Sequence, residues 1–135
     1  MILLVEDDVR IGDVLKPLLE DEGYEVKLAR KGDDALNIIA EHYSRLSALI
    51  TDIRLGSHHS GWQVAKNVRT HRPDLPVLYI SADSAHDHAH MGVPDSIMLQ
   101  KPFGPSKLLK AIDSVLERQM GWLGSASSLR MALQA

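Results

Sequence analysis

The chain has 135 residues, 44% of them hydrophobic, with a formal charge of −3 at neutral pH and no cysteine. This length and hydrophobic content predict one compact domain with its own core. The acidic balance argues against a nucleic-acid surface, because phosphate binding usually needs a basic face. Without cysteine there is neither a disulfide framework nor a thiolate site, which fits a reducing cytoplasm.

A membrane location is also not expected. No apolar run reaches the roughly 18 to 20 residues that a membrane span requires. The opening residues MILLVEDD are apolar for too short a stretch to form a secretion signal. We therefore expect a soluble cytoplasmic domain.

Five short segments have the pattern of strands. Residues 2–5 (ILLV) form the first continuous apolar run, and residues 24–29 (YEVKLA) alternate as a half-exposed edge strand would. Residues 48–51 (ALIT) and 77–82 (VLYISA) are again continuously apolar, as expected of strands covered on both faces. Residues 96–99 (SIML) are a fifth, shorter candidate.

Between the strands, apolar residues recur at helical spacing. The stripes are Ile11, Val14, Leu15, Leu18 and Leu19; Ala35, Leu36, Ile38 and Ile39; Val64, Ala65 and Val68; and Leu108, Leu109, Ile112, Val115 and Leu116. Pro17 removes a backbone donor inside the first helix and predicts a bend. Gly104 and Pro105 suit the start of the last helix. The segment DSAHDHAHM, residues 83–91, has almost no apolar stripe, so a helix there is the least well defined.

Strands that alternate with helices predict a parallel sheet with right-handed crossovers and helices on both faces. Functional groups in such sheets gather at the carboxyl ends of the strands. Here polar side chains stand at or just after four of the five strand ends. They are Glu6, Asp7, Asp8, Asp52, Ser81 and Lys101.

The chemistry of these groups indicates a phosphoryl site. Carboxylates held close together repel one another, so they recruit a cation or take up a proton. Ligands that offer only oxygen suit a hard ion such as Mg²⁺. A lysine and a hydroxyl beside it suit phosphoryl oxygens, and Asp52 is then the candidate nucleophile that would form an aspartyl phosphate. The alternative is that the acidic residues are solvated and cap the helices that follow.

The chain resembles the response-regulator receiver domains of bacterial two-component signalling. The resemblance runs from Ile2 to about Leu116 and is carried by LLVEDD, LITDIRLG, YISA and LQKPF, in the family's order and near its spacing. It implies a flavodoxin-like, doubly wound sheet of five parallel strands in the order 2-1-3-4-5. Residues 1–118 would form the receiver and residues 119–135 a tail or short helical extension.

The resemblance also assigns roles to individual residues. Asp52 matches the phosphoacceptor, Ser81 the switch hydroxyl and Lys101 the lysine that pairs with the phosphoryl group. For Mg²⁺ (or Mn²⁺), Asp7 matches a direct ligand and Glu6 a ligand acting through water, beside Asp52 itself. The carbonyl of Arg54 matches the third protein ligand. The bond from Lys101 to Pro102 is expected to be cis.

The implied partners are a histidine kinase or histidine phosphotransfer protein upstream and a protein target downstream. No output domain is expected after the receiver, so we expect a stand-alone domain that binds no DNA directly and is a monomer or weak dimer. Lys107, Lys110 and Ala111 replace the residues that many DNA-binding relatives use to dimerise. The domain would promote only its own phosphorylation and dephosphorylation.

Several positions depart from the family's pattern. Met98 stands where an aromatic residue is frequent, which removes a large ring from the usual switch. The segment from Ser81 to Lys101 is about two residues short, so the fourth helix is expected to be truncated or irregular. Arg54 and Asp83 flank the acceptor, and their opposite charges predict an ion pair over the phosphoryl group; the alternative is two separate solvated charges.

Two other functions are compatible with parts of this pattern. A pseudo-receiver would keep the fold as a binding module without phosphorylation, but the intact acidic pair, Asp52, Ser81 and Lys101 argue against it. An aspartyl phosphatase typically carries a second aspartate two residues after the nucleophile, where this chain has Arg54.

His86, His88 and His90 alternate, and His86 with His90 would share a helix face, which is the spacing of zinc ligands. An exposed polar helix explains them equally well.

Overall fold

The computed structural model describes residues 1–56, 58–83 and 85–120. Its strands are β1 (Ile2–Val5), β2 (Val26–Ala29), β3 (Ala48–Asp52), β4 (Val77–Ser81) and β5 (Ile97–Gln100). Its helices are α1 (Val9–Asp21), α2 (Gly32–His42), α3 (Gly61–His71), α4 (His88–Met91) and α5 (Pro105–Met120). Short 3₁₀ turns precede β3, at Tyr43–Arg45, and α4, at Ala85–Asp87.

The five strands form one parallel sheet in the order β2-β1-β3-β4-β5, which confirms the predicted fold class. Every residue of β1, β3 and β4 is buried. Their continuous apolar sequence follows from this position, because helices cover these strands on both faces. One edge of the sheet is β2, where Lys27 is exposed between the buried Val26 and the half-buried Leu28.

Two apolar cores lie on opposite faces of the sheet, because successive side chains of a strand point to opposite sides. Leu3 and Leu49 belong to the core that α2 and α3 cover. Leu4 and Ile50 belong to the core that α1 and α5 cover. The sheet is therefore doubly wound, as the alternation of strands and helices predicted.

The boundaries of four of the five strands differ from those predicted. β3 ends one residue later, at Asp52, and β4 one residue earlier, at Ser81. β2 begins at Val26 rather than at Tyr24, because the N–H of Tyr24 donates to the carbonyl of Leu19 and closes the end of α1. The intervening turn uses Gly23 in the left-handed region, with φ 95°. β5 is shifted by one residue, to Ile97–Gln100.

The helices begin at recognisable caps. The carboxylate of Asp8 accepts the N–H of Arg10 at 2.9 Å, so this acidic residue caps α1, as the capping alternative proposed. Ser60 and Gln63 form a reciprocal capping box at α3. α5 begins at Pro105, as predicted. α1 is continuous from Val9 to Asp21 and contains Pro17.

The fourth helix is short, as predicted from the missing apolar stripe and from the short segment between Ser81 and Lys101. It consists of four residues after a 3₁₀ turn, and none of these four is buried. His86 lies in the 3₁₀ turn and His90 in α4, so the regular helix face assumed for a histidine pair does not form there. Without that face, the spacing argument for a zinc pair no longer applies.

The prediction for the C-terminal residues concerns the part of the chain from the end of α5 onward. α5 continues to Met120. Of residues 119–135, where a tail or short helical extension was expected, residues 121–135 lie outside the described residues. Within the ranges given above, no helix combines the length and the hydrophobicity needed to cross a membrane.

Candidate functional site

The parallel register brings the polar strand ends to one edge of the sheet. Val5 pairs with Thr51, so Glu6 and Asp52 follow at neighbouring positions. Ser81 pairs with Gln100, and Lys101 comes directly after that pair. Residues from β1, β3, β4 and β5 therefore meet although they are far apart in sequence.

Three carboxylates converge at this edge. Glu6, Asp7 and Asp52 each offer an oxygen, and these oxygens lie within 4.8 Å of one another. Among the described residues this is the one such group of three or more acidic, histidine or cysteine side chains. Glu6 and Asp52 are buried, whereas Asp7 is exposed. Gly56, at φ +58°, lies so close that a Cβ there would stand 3.3 Å from Asp7 Oδ2.

Lys101 joins two of these carboxylates. Its Nζ donates to Glu6 Oε1 at 2.9 Å and to Asp52 Oδ2 at 3.0 Å. Its backbone N–H donates to the carbonyl of Ser81 at 2.7 Å, which ties β5 to β4 at the site. The Lys101–Pro102 peptide bond is cis, as the resemblance implied.

Burial and the close neighbours in the site shift the pKa values of Glu6 and Lys101. Burial, together with the neighbouring Asp52, raises the pKa of Glu6 to about 8. For Lys101, burial opposes the charged form, but the hydrogen bonds that its ammonium donates to Glu6 and Asp52 outweigh it and raise the pKa. Within the described structure Glu6 Oε2 is buried and has no hydrogen-bond partner. A buried carboxylate oxygen without a partner, beside two further carboxylates, fits a hard divalent ion.

Backbone contacts orient the Asp52 side chain. Asp52 Oδ1 accepts the N–H of Ile53 at 2.8 Å, which leaves Oδ2 toward Lys101. The hydroxyl of Thr51 donates to the Asp52 carbonyl at 2.8 Å. Gly61, at the start of α3, lies against the same carbonyl, and a Cβ at this position would overlap it. Thr51 and Gly61 were not identified from the sequence. The one signal for Gly61 was the segment SGW, residues 60–62, in which Ser60 can cap the helix that carries the apolar stripe of α3.

Ser81 lies at the end of the neighbouring strand. It is 1% exposed, and its Oγ accepts the N–H of Asp83 at 3.2 Å. The expected ion pair is present, with Arg54 Nη2 3.1 Å from Asp83 Oδ2. The side chains are 76% and 52% exposed, so the pair lies at the solvent side of the site. It links the loop after β3 to the loop after β4.

Met98 pairs with Tyr79 in the register of β4 and β5, and it packs at the margin of the α2–α3 core. It thus lies next to a buried aromatic ring that belongs to β4 rather than to β5. Met98 was predicted to remove a ring from the usual switch, whereas Tyr79, two residues before Ser81, was not identified from the sequence.

A groove of about 460 Å³ opens beside Lys101, between α1 and the loop that precedes α5. Its floor and walls are mostly apolar, and Val14 is 65% exposed on its rim. The lining residues are Asp8, Arg10, Ile11, Val14, Leu15, Lys101, Pro102 and Phe103.

Comparison with known proteins agrees with this geometry. Residues 2–113 match the sequence family described as the response regulator receiver domain, and the chain belongs to that family. Receiver domains are signalling modules of two-component systems, and they bind Mg²⁺ in an acidic pocket.

Two curated relatives illustrate the match. An uncharacterized transcriptional regulatory protein, YbdJ of Bacillus subtilis, is 34% identical over 89% of this chain and 52% of its own length. The response regulator MprA of Mycolicibacterium vanbaalenii is 32% identical over 96% of this chain and 56% of its own length. The chain thus spans about half the length of these relatives.

Solved structures share the whole fold. A response regulator receiver protein from Sinorhizobium medicae has a TM-score of 0.83 at 34% identity, with 87% of this chain and 94% of that chain covered. The receiver domain of the sensor histidine kinase PA1611 from Pseudomonas aeruginosa has a TM-score of 0.72 at 25% identity, with 89% and 96% covered. That protein was solved with magnesium coordinated in its active-site cleft.

Proposed function

We propose that this domain is the phosphoacceptor of a two-component phosphorelay and that Asp52 receives the phosphoryl group. The observation that carries the proposal is the position of Lys101 Nζ, 3.0 Å from Asp52 Oδ2, at a point where three carboxylates meet. A nucleophilic oxygen, a site for a cation and a fixed ammonium are the groups that phosphoryl transfer requires.

The donor is a phosphohistidine on a histidine kinase or a histidine phosphotransfer protein. Asp52 Oδ2 attacks phosphorus as the bond from phosphorus to the histidine nitrogen breaks, and the electron pair of that bond stays on the nitrogen. The donor histidine carries a proton on its other ring nitrogen, so it leaves as the neutral imidazole. Lys101 then pairs with a phosphoryl oxygen instead of the two carboxylates. Asp52 Oδ1 is held by the N–H of Ile53, whereas Oδ2 lies on the side of Lys101, which supports Oδ2 as the attacking oxygen.

Mg²⁺ (or Mn²⁺) would be held by Asp7, by Asp52, by Glu6 through water and by the carbonyl of Arg54. Its chemistry is the neutralisation of negative charge on the transferring oxygens. Glu6 contributes the buried Oε2 that has no partner in the described structure. Asp7, which is exposed, gives the ion a route from solvent.

The output follows from the charge that the phosphoryl group adds, which is close to two negative charges at neutral pH. Ser81 would leave the N–H of Asp83 and turn toward the phosphoryl oxygens, and the loop after β4 would follow. The surface formed by α4, β5 and α5 then changes for a downstream protein. Hydrolysis of the acyl phosphate resets the domain, which therefore acts on no external substrate.

The groove beside Lys101 supports docking of the phosphoryl donor. A protein that reaches Asp52 must cover this rim, and the exposed Val14 with Ile11 and Phe103 offers it apolar surface. That the domain binds no DNA directly and is a monomer or weak dimer stays a prediction.

The test is incubation with acetyl phosphate and Mg²⁺, followed by intact-mass measurement. We expect an acid-stable, base-labile gain of one phosphoryl group that disappears in Asp52→Asn. Asp8→Asn is the matched control, because it changes a nearby carboxylate but keeps a capping side chain. A gain that persists in Asp52→Asn would reject Asp52 as the acceptor. A folded wild type that gains nothing would favour the pseudo-receiver, a binding module without phosphorylation.

A further inference from the structure

A hydrogen-bonded cluster joins β4 to the segment around α4. Tyr79 of β4 is fully buried, and its hydroxyl accepts the N–H of Val93 at 3.0 Å. Its ring packs against Trp62 of α3, with centroids 4.7 Å apart. Tyr79 and Ser81 stand two residues apart on one strand, so their side chains point to the same face of the sheet.

His88 and Ser96 complete the cluster. The hydroxyl of Ser96 donates its one hydrogen to the carbonyl of Val93 at 2.6 Å. His88 Nε2 lies 2.9 Å from the same hydroxyl oxygen, so Nε2 must carry the hydrogen and donate. The His88 ring also meets the Tyr79 ring edge-on, at 5.7 Å.

This cluster determines where α4 lies. None of the four α4 residues is buried, so α4 has no apolar anchor of its own in the core. His88 is its contact with the buried Tyr79 and Ser96. Gly92 ends the helix so close to His88 that a Cβ there would overlap the ring.

We propose that the cluster of Tyr79, His88, Val93 and Ser96 transmits the state of Ser81 to α4. This inference rests on the proposed function, and it names how the phosphorylated site reaches the binding surface. When the end of β4 adjusts to the phosphoryl group, the Tyr79 hydroxyl shifts relative to Val93, and His88 and Ser96 move with it. The cluster takes the place of a ring on β5, where Met98 stands beside Tyr79.

The test is hydrogen exchange of the α4 segment, residues 85–93, with and without acetyl phosphate and Mg²⁺. Tyr79→Phe removes only the acceptor of the Val93 N–H, and Ser96→Ala removes the bridge from His88 to Val93. In both unphosphorylated variants we expect exchange at Val93 to rise about fivefold or more. In Tyr79→Phe the Val93 N–H loses its acceptor, and in Ser96→Ala the Val93 carbonyl loses its donor. We also expect the change caused by phosphorylation to fall by at least half.

The readout that separates coupling from chemistry is the extent of Asp52 phosphorylation, which should stay within about twofold of wild type. Tyr43→Phe is the matched control, since Tyr43 is exposed and stacks on His71 outside the cluster. Variants that keep the full wild-type response of α4 would overturn the coupling alone. A wild type that takes no phosphoryl group would overturn the proposed function, and the coupling with it.

Discussion

Lys101 Nζ lies 3.0 Å from Asp52 Oδ2, although 49 positions separate the two residues in the sequence. The same ammonium donates to Glu6 at 2.9 Å. Because the raised pKa of Glu6 keeps that carboxyl group protonated at neutral pH, Asp52 is the buried charge that Lys101 neutralises. Lys101 therefore has two effects: it neutralises the buried carboxylate of Asp52, and it competes with a cation for the oxygens of the pocket.

Replacement of Lys101 by Ala should separate these effects. Without the ammonium, the carboxylates of Glu6 and Asp52 are free for Mg²⁺, so we expect the dissociation constant for Mg²⁺ to fall several-fold. Phosphorylation by acetyl phosphate should fall by about 100-fold, because a charge that stabilises the transferring oxygens is lost. Calorimetric titration and the rate of mass gain measure the two quantities. Weaker Mg²⁺ binding in this variant would contradict the competition.

The raised pKa of Glu6, about 8, predicts a pH dependence of stability in the metal-free protein. Between the ordinary pKa near 4.5 and about 8, the folded state holds a proton that the unfolded state has released. Stability contributed by this proton is therefore lost as the pH rises through 8. With EDTA we expect Tm to fall by roughly 5 °C between pH 6 and pH 8.5.

Two comparisons check this assignment. Mg²⁺ should raise Tm more at pH 8.5 than at pH 6, because the ion favours the ionised Glu6. In Glu6→Gln the EDTA curve should be nearly flat over the same range. A Glu6→Gln curve that matches wild type would place the titration on another group.

Gly61→Ala tests the contact between α3 and the phosphoacceptor strand. The added Cβ overlaps the backbone of Asp52, which cannot move without disturbing β3. We expect a loss of more than about 3 kcal/mol in the free energy of unfolding. Gly104→Ala is the matched control, since nothing lies within 4 Å of a Cβ there, and it should cost less than about 1 kcal/mol. Equal urea midpoints for both variants would refute the contact.

The ion pair of Arg54 with Asp83 should tune the lifetime of the acyl phosphate. Both side chains are exposed and belong to the loops after β3 and β4, the strands that end in Asp52 and Ser81, so we expect each to remove space for an attacking water. An exposed pair contributes at most about 1 kcal/mol, which limits the effect to roughly fivefold. We expect Arg54→Ala and Asp83→Ala each to shorten the half-life of phospho-Asp52. Decay is measured as the loss of the added phosphoryl mass over time. A half-life of phospho-Asp52 that is unchanged in both variants would reject the idea.

Docking of the phosphoryl donor should depend on the groove. Val14→Glu places a charge on its apolar rim, so transfer from a phosphohistidine protein should slow about tenfold or more. Transfer from acetyl phosphate should not change, because a small donor needs no docking surface. Thr70→Glu adds the same charge on an exposed position of α3 and should slow neither reaction. Equal slowing with both donors would indicate a defect in the pocket itself.

Local pattern alone predicted much of this domain. The alternation of apolar runs with helical stripes identified all five strands and the parallel sheet, because periodicity is a property of neighbouring residues. The missing stripe in residues 83–91 anticipated the four-residue α4. The register of a parallel sheet then brings Glu6, Asp52 and Lys101 to one edge, and this follows from the topology without any side-chain detail.

Other features were decided only by the tertiary structure. The overlap of Gly61 with the Asp52 carbonyl, the link from His88 through Ser96 to Val93 and the raised pKa of Glu6 leave no periodic trace in the sequence. Each depends on distances between groups that packing brings together and on how far water is excluded from them. Sequence patterns determine which residues reach the pocket, whereas burial and close contact decide which of them carry a proton, a charge or a hydrogen bond once they are there.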